Sequence, residues 1–411
     1  MSNIFDSSDE IVQMMIPKFI KLFGVKPLVA GRAPGRVNLI GEHIDYCGFQ
    51  VFPMALEGKY TTVLINPTKT GLIRARNTDS EHYPDLDIPI HCCCAPLGST
   101  GWGAYVEGAV HEYIKVAGYN LKGLDLLVHG LVPIASGLSS SAALVCSITI
   151  ALDKAQGIPH ERTGLVESTI KAEQRTGINC GGMDQSISMF AQKGYASIIG
   201  FNPITIEQVE LPDAHFVVAH CMKKAAKIEE IDPTDCYNWR VKEVRRCAQL
   251  MKEGCNTIAE VVKSLNGNFD EALKLAENLP EVDNENPKLV LKKRAVHVVT
   301  EARRVLQMKG ADLKTWGKLM CESHASCRDL YHCSCKELDD LVEAGMSSGA
   351  IGGRMTGAGW GGSTVFILEP SANPNDFIKQ VIEKYYTKNG IENPIIFATL
   401  PGQGALAFKF Y

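Results

Sequence analysis

Hydrophobic positions along this 411-residue chain follow two different periods. Early runs such as TTVLINP and LDLLVHGLVP concentrate β-branched and aliphatic residues between turn residues, which predicts strands, the second ending at Pro133. SSSAALVCSITIALDKAQG then sets Ala and Leu at helical spacing, with Gly157 as its stop. ASIIGF and HFVVAHC predict further strands. The second half is dominated by amphipathic helices, NWRVKEVRRCAQLMKEG, VVKSLNG, ENPKLVLKKRAVHVVTEARRVLQMKG and LKTWGKLMCESHASCRDL, and closes on the strands STVFILE and ALAFKFY. At the other end, MSNIFDSSDEIVQMMIPKFIKLFG is expected to be an amphipathic helix containing Pro17 that packs on the body. Mixed α/β traffic without internal repeats, in a chain this long, points to two domains with a cleft between them. The polar run GFNPITIEQVELPDAH marks the expected boundary near residue 205, giving domains 1–205 and 206–411.

Four stretches break the pattern. GRAPGRVNLIGEHIDYCGFQVFPMAL, residues 31–56, sets Arg36, Asn38, Glu42, His43 and Asp45 into an apolar, glycine-punctuated run that fits neither period cleanly. In LVPIASGLSSSAALVCSI, Gly137 and the serines 139–141 lead straight from a strand into a helix. A helix N-terminus presents free N–H groups and the positive end of its dipole, so this is an anion site, with hydroxyls to bind phosphate oxygens and a magnesium ion. An ordinary N-cap would explain one serine, not all of them. No GxxxxGK[ST] occurs, so the site is not a P-loop. KAEQRTGINCGGMDQSISMF carries Glu173 and Asp184. Beside a phosphate loop, one carboxylate can complete a magnesium site while the other faces the attacking hydroxyl; taken alone, an Asp after Gly-Gly-Met such as Asp184 is usually a turn or helix cap. In GGRMTGAGWGGSTVFIL, Gly357, Gly359 and Gly362 have GxGxxG spacing but precede a strand, so they argue for close backbone approach or ligand contact rather than a dinucleotide fold.

Charge narrows the partners. A net charge of −4 and a pI near 6.3 provide no broad basic field for nucleic acid or an acidic membrane surface. The acidic N-terminal stretch lacks the features of a secretory signal, and no run reaches the length of a membrane span, so a cytoplasmic location is expected. Among the 14 cysteines, the clusters Cys92, Cys93, Cys94 and Cys327, Cys333, Cys335 fit no zinc spacing and are expected to be reduced, mostly buried thiols.

Taken in order, GRVNLIGEHIDYCGFQVFPMAL, GLSSSAA and GRMTGAGWGG resemble the three signature motifs of the GHMP small-molecule kinases, the first being similar to the galactokinase signature. The resemblance runs from about residue 28 to the C-terminus and is weakest between residues 220 and 310. HIDYCGF, GGMDQS and SCRDLYHCSCKELD are most similar to the eukaryotic branch containing N-acetylgalactosamine kinase and fungal-type galactokinases. It implies an α/β (α+β) fold, with an N-terminal domain like ribosomal protein S5 domain 2, a ferredoxin-like C-terminal domain, and ATP and sugar meeting in the cleft. By position, it implies that Gly137, Leu138, Ser139, Ser140, Ser141 and Ala142 surround the ATP phosphates. Ser141 and Glu173 would hold Mg2+, and Trp102 and Tyr105 would lie near the adenine. Glu42, His43, Asp45, Gly182, Asp184 and Tyr237 would contact the sugar, with Asp184 and Arg36 as the catalytic pair. The implied protein is a monomer acting on ATP and a small sugar. Asn38 is read as a turn-stabilising side chain instead of a ligand contact.

This chain departs from the family where His220 and Cys221 replace an Asn-Ser pair and where the loop before Tyr237 is longer. Tyr237 favours galactose, whereas an altered loop would admit N-acetylgalactosamine, a uronic acid or a pentose. A non-catalytic sugar and ATP sensor is the competing class; such a relative loses part of the serine loop, which is complete here.

Overall fold

The protein is described by a computed structural model covering residues 5–90, 96–224 and 234–410. Cys92, Cys93 and Cys94, and most of the long loop before Tyr237, lie outside the described residues. The chain opens with α1 (Glu10–Phe23), followed by β1 (Val29–Ile40), β2 (Phe52–Pro67), β3 (Leu72–Asn77), β4 (Leu86–Pro89), α2 (Trp102–Ala117) and β5 (Leu124–Gly130). Next come α3 (Ser140–Gln156), α4 (Arg162–Gln174), α5 (Met183–Phe190), β6 (Tyr195–Gly200), β7 (Thr205–Glu210) and β8 (His215–His220). Five helices follow, α6 (Tyr237–Met251), α7 (Ile258–Ser264), α8 (Phe269–Glu277), α9 (Lys292–Met308) and α10 (Leu313–Ser326). The described chain ends with α11 (Lys336–Met346), β9 (Gly352–Thr356), β10 (Ser363–Leu368), α12 (Pro374–Val381), β11 (Ile396–Thr399) and β12 (Leu406–Lys409).

The strands form a six-stranded sheet in the order β12-β1-β2-β5-β3-β4, a four-stranded sheet β11-β8-β10-β9 and the hairpin β6-β7. Helices α2 to α4 share a core with one face of the large sheet, while Val12, Met15 and Phe19 of α1 bury against Ala30, Leu64 and Leu127. Asp9 caps α1 by accepting from Ile11 N and Val12 N, and Gly24 ends it in the left-handed region at φ 74°. Strand β1 crosses from one core to the other: Val29 and Ala33 pack with α3, whereas Val37, Leu39 and Ile40 join the core of α9, α10 and the four-stranded sheet. A strand shared in this way carries its polar side chains into the space between the cores.

Most predicted elements are present, with local differences. The strand expected to reach Pro133 ends at Gly130. The helix expected from Glu285 starts only at Lys292; Asp283 N donates to Leu289 O at 2.9 Å, and Pro287 disfavours helical geometry at Asn286. The polar run expected to hold the boundary contains β7, whose first residue is Thr205, and β12 returns to pair with β1.

Helix α10 approaches β9 so closely that a Cβ on Gly317 would collide with the Ile351 carbonyl oxygen. In an exposed helix, Gly→Ala stabilises by about 1 kcal/mol. At this contact the sign reverses: Gly317→Ala is expected to destabilise by about 1–3 kcal/mol in urea titration, and a raised midpoint would contradict the packing.

Candidate active site

The first stretch resists a periodic reading because β1 is irregular. Its pairing with β2 shifts register between Pro34 and Arg36 and again between Asn38 and Ile40, which re-aims side chains. Arg36 thereby points inward at 3% exposure. Its Nε donates to Asp184 Oδ1 at 2.7 Å and its Nη1 to the Gly137 carbonyl at 2.6 Å. One guanidinium thus joins the first, second and third stretches.

Just past β1, Glu42 accepts from Asn38 Nδ2 through Oε2 and from Gly357 N through Oε1. Asn38 therefore has a definite task, holding Glu42 from a position four residues earlier. Burial raises the Glu42 carboxyl, and the Arg354 and Arg36 charges oppose that rise. His43 sits at φ 61° with Nε2 2.9 Å from the Ala358 carbonyl and Nδ1 2.8 Å from Tyr46 Oη. A carbonyl only accepts, so Nε2 carries the proton and Nδ1 accepts from Tyr46. Burial lowers the His43 pKa to about 3, so the ring is neutral at physiological pH. Burial and the neighbouring Asp184 charge push Asp45 up to about 6. Tyr237 opens α6 with its ring 5.5 Å from His43 and 5.4 Å from Tyr46. Burial, Asp45 and Asp184 raise its hydroxyl well above the usual range.

The serine stretch forms the N-terminus of α3. Ser139 is its N-cap at φ 61°; its hydroxyl makes no cap bond and is buried without a partner. Ser140 and Ser141 begin the helix, while Leu138 and Ala142 are fully buried. Gly137, at φ 74°, stands against the fourth stretch: a Cβ on Gly357 would collide with the Gly137 carbonyl oxygen. The expected close backbone approach is therefore real. Glu173, near the end of α4, accepts from Gln185 Nε2 at 2.7 Å through Oε2. Asp184 lies in the first turn of α5, behind Gly182 at φ 111°.

One cleft is lined by Arg36, Glu42, His43, Asp45, Glu173, Gly182, Asp184 and Tyr237. Residues 137–142 do not line it; Gly137 reaches it through Arg36. Trp102 and Tyr105 do not line it either: the Trp102 ring meets Tyr83 at 5.7 Å and its Nε1 donates to the Pro84 carbonyl at 3.2 Å. His220 and Cys221, at the end of β8, are likewise outside the lining, and their carbonyls accept from Tyr386 and Tyr385. Sequence reasoning missed Gln185, the main-chain groups of Gly357 and Ala358, and Arg354, which is fully buried and 3.8 Å from Glu42. An arginine within a glycine-rich run entering an apolar strand was the available signal for the last. Among the described residues, Cys327, Cys333 and Cys335 are free, and no cluster of three or more His, Cys, Asp or Glu side chains could hold a metal. Among those residues no helix is long and apolar enough to cross a membrane.

Comparison with known proteins matches this arrangement. Residues 17–67 match the galactokinase galactose-binding signature, 104–192 the GHMP kinases N terminal domain and 305–387 the GHMP kinases C terminal model. The chain is 31% identical to galactokinase of Dictyostelium discoideum, over 98% of this chain and 94% of the relative. Against Homo sapiens galactokinase it is 36% identical, over 87% of this chain and 88% of the relative. The crystal structure of Lactococcus lactis galactokinase complexed with galactose superposes with a TM-score of 0.81 at 30% identity, covering 96% of this chain and 99% of that one. A mevalonate kinase at 18% identity and a TM-score of 0.60, covering 90% of this chain and 98% of that one, shares the fold. This chain has the expected GHMP kinase fold and belongs to the galactokinase family.

Proposed function

We propose that the cleft transfers the γ-phosphoryl group of ATP to the anomeric C1 hydroxyl of D-galactose, giving galactose 1-phosphate and ADP. The observation that carries this reading is Arg36, bonded at once to Asp184 and to the Gly137 carbonyl beside the serine loop. The crystallised Lactococcus lactis relative is itself a complex with galactose. We assign the protein to the cytoplasm as a monomer, with its active site between halves divided near residue 205.

The sugar face is rich in acceptors. Glu42, Asp45 and Asp184 present carboxylate oxygens to the sugar hydroxyls, with Gly182 and Tyr237 completing the wall. A site built on such bonds rejects a sugar with one hydroxyl inverted, because its buried acceptors are then left unpaired. His43 has both ring nitrogens bonded to protein atoms, so it holds Tyr46 and the Ala358 carbonyl in place beside the sugar. On the ATP side, the N–H groups at the start of α3 and the unpartnered Ser139 hydroxyl suit phosphate oxygens. Leu138 and Ala142 pack beneath this turn, and Trp102 and Tyr105 at the start of α2 are the proposed adenine neighbours. Ser141 and Glu173 offer the hard oxygen donors that Mg2+ prefers, and Gln185 fixes the Glu173 orientation. When bound with ATP, Mg2+ supplies charge neutralisation across the β and γ phosphates.

In the reaction, the C1 oxygen forms a bond to the γ phosphorus while the bond from that phosphorus to the bridging oxygen breaks, leaving ADP. Asp184 accepts the hydroxyl proton, and Arg36 keeps Asp184 ionised and offsets charge in the transition state. A coupled ADP-release panel of galactose, N-acetylgalactosamine, galacturonate, arabinose, glucose and mevalonate tests the assignment. Galactose should give multiple turnovers, whereas mevalonate as the sole good acceptor would overturn the reading.

Asp184→Asn should retain galactose binding by calorimetry while lowering kcat by a factor of about 10³ or more; near-normal turnover would remove Asp184 from catalysis. Asp45 generates a prediction of the opposite kind. Its folded pKa of about 6 lies above the unfolded value, so the folded state binds the proton more tightly. That contribution is complete below about pH 4 and is lost as pH rises through about 6. Discounted for partial exposure, Asp45→Asn should therefore raise stability at pH 7 by about 1–2 kcal/mol, with little gain at pH 4, while weakening galactose binding. Thermal scans at both pH values with calorimetry check this, and equal destabilisation at both would contradict it.

A further inference from the structure

Helix α9 lies in the part of the chain where the family resemblance is weakest, and two of its side chains, one turn apart, close on the peptide that carries Glu42. Glu301 is fully buried, and its Oε1 accepts from Gly41 N at 2.9 Å, Glu42 N at 3.2 Å and Ser323 Oγ at 2.6 Å. Its Oε2 accepts from Arg304 Nε at 2.8 Å. His297 Nε2 donates to the Glu42 carbonyl at 3.1 Å, and its Nδ1 lies 2.8 Å from Ser326 Oγ. Both main-chain polar groups of Glu42 are thus held by one helix.

A second path returns to the same residue through its side chain. Ser323 also accepts from Arg354 Nε at 3.2 Å, and Arg354 donates to the Asn38 carbonyl at 2.8 Å and faces the Glu42 carboxylate. The connections form a ring: Glu42 backbone, Glu301, Ser323, Arg354, Glu42 carboxylate. A buried carboxylate is costly unless it is fully paired. Burial raises the Glu301 carboxyl, but Arg304 and Arg354 outweigh that and hold it at about 2, so the ring stays charged across the physiological range. Neither His297 nor Glu301 lines the cleft.

We propose that Glu301 and His297 are positioning residues for phosphoryl transfer, setting the Glu42 carboxylate against the sugar by clamping the Gly41–Glu42 backbone. The assignment rests on the galactokinase reading, in which Glu42 meets the sugar. A positional error there would act on the sugar side of the cleft and leave the serine loop in place, since the clamp contacts nothing in residues 137–142.

The test uses the full chain with galactose and ATP varied separately. Glu301→Ala should raise the KM for galactose about tenfold while the KM for ATP stays within about twofold. Glu301→Gln, which keeps an acceptor for the two N–H groups, should recover part of that loss. On a Glu42→Gln background, Glu301→Ala should add little further loss in kcat/KM for galactose, because the clamp acts through the missing carboxylate. If Glu301→Ala does not fold, His297→Phe, which keeps a ring and removes the bond to the Glu42 carbonyl, must show the same split between the two KM values. Losses that multiply fully on the Glu42→Gln background, or KM values for both substrates rising together, would overturn the clamp while leaving a galactose-active wild type intact. A wild type that neither binds nor phosphorylates galactose overturns the functional reading, and the clamp with it.

Discussion

The cleft depends on a buried guanidinium. Arg36 reaches the Asp184 carboxylate with one edge and the Gly137 carbonyl with another nitrogen, and its backbone N–H donates to Leu138 O at 3.1 Å. A charge this deeply buried requires partners, and removing one partner of such a pair costs about 3–5 kcal/mol. The arginine therefore does two things at once. It sets a positive charge against the Asp184 carboxylate, and it fixes the turn before α3 relative to the end of β1. The Asp184 carboxylate and the turn before α3 are held by the same guanidinium.

Around this arginine the balance of charge is uneven, and the unevenness follows the substrates. Glu42, Asp45, Glu173 and Asp184 line the cleft with Arg36 as its cation, while Arg354 acts from behind Glu42. Hydroxyl groups donate well to such a surface. Phosphates would be repelled by it, and the amides at the start of α3 lie outside its lining. Asp45 shows the limit of the arrangement. Burial and the charge on Asp184 already raise its pKa to about 6, so its acceptor strength is maintained against an electrostatic cost.

Elements with a strong period were legible from the sequence, as were the glycine and serine signals at α3, because each depends on neighbours within a few residues. What was not legible depended on distant partners. The polar run before β8, read only as a boundary, gave no strand signal, yet Thr205–Glu210 pairs with Tyr195–Gly200 as a two-stranded sheet, where polar residues face outward without disrupting the ladder. Asn38 was read as serving its own turn; it holds Glu42 from four residues away, and the other half of that support comes from Gly357. Arg354 and Gln185 carried no local periodic signal because their partners, Glu42 and Glu173, are set by the tertiary fold. The family resemblance named Arg36, Glu42, His43, Asp45, Glu173, Gly182, Asp184 and Tyr237, which line one cleft, whereas Trp102 and Tyr105 lie outside that lining at the start of α2.

The two glycine-rich stretches explain how segments so far apart in sequence come to share one site. Gly137 and Gly357 stand backbone to backbone, with no room for a Cβ on Gly357 beside the Gly137 carbonyl. That carbonyl also receives Arg36, and the Gly357 N–H is given to Glu42. The contact thus links the phosphate-side turn to the sugar-side carboxylate through main-chain atoms, which have no rotamers to lose. A side chain on Gly357 would push the two stretches apart and part the carbonyl that holds Arg36 from the N–H that holds Glu42. Glycine is required here by the distance between two backbones, and the polar residues of the first stretch are placed by that distance in turn.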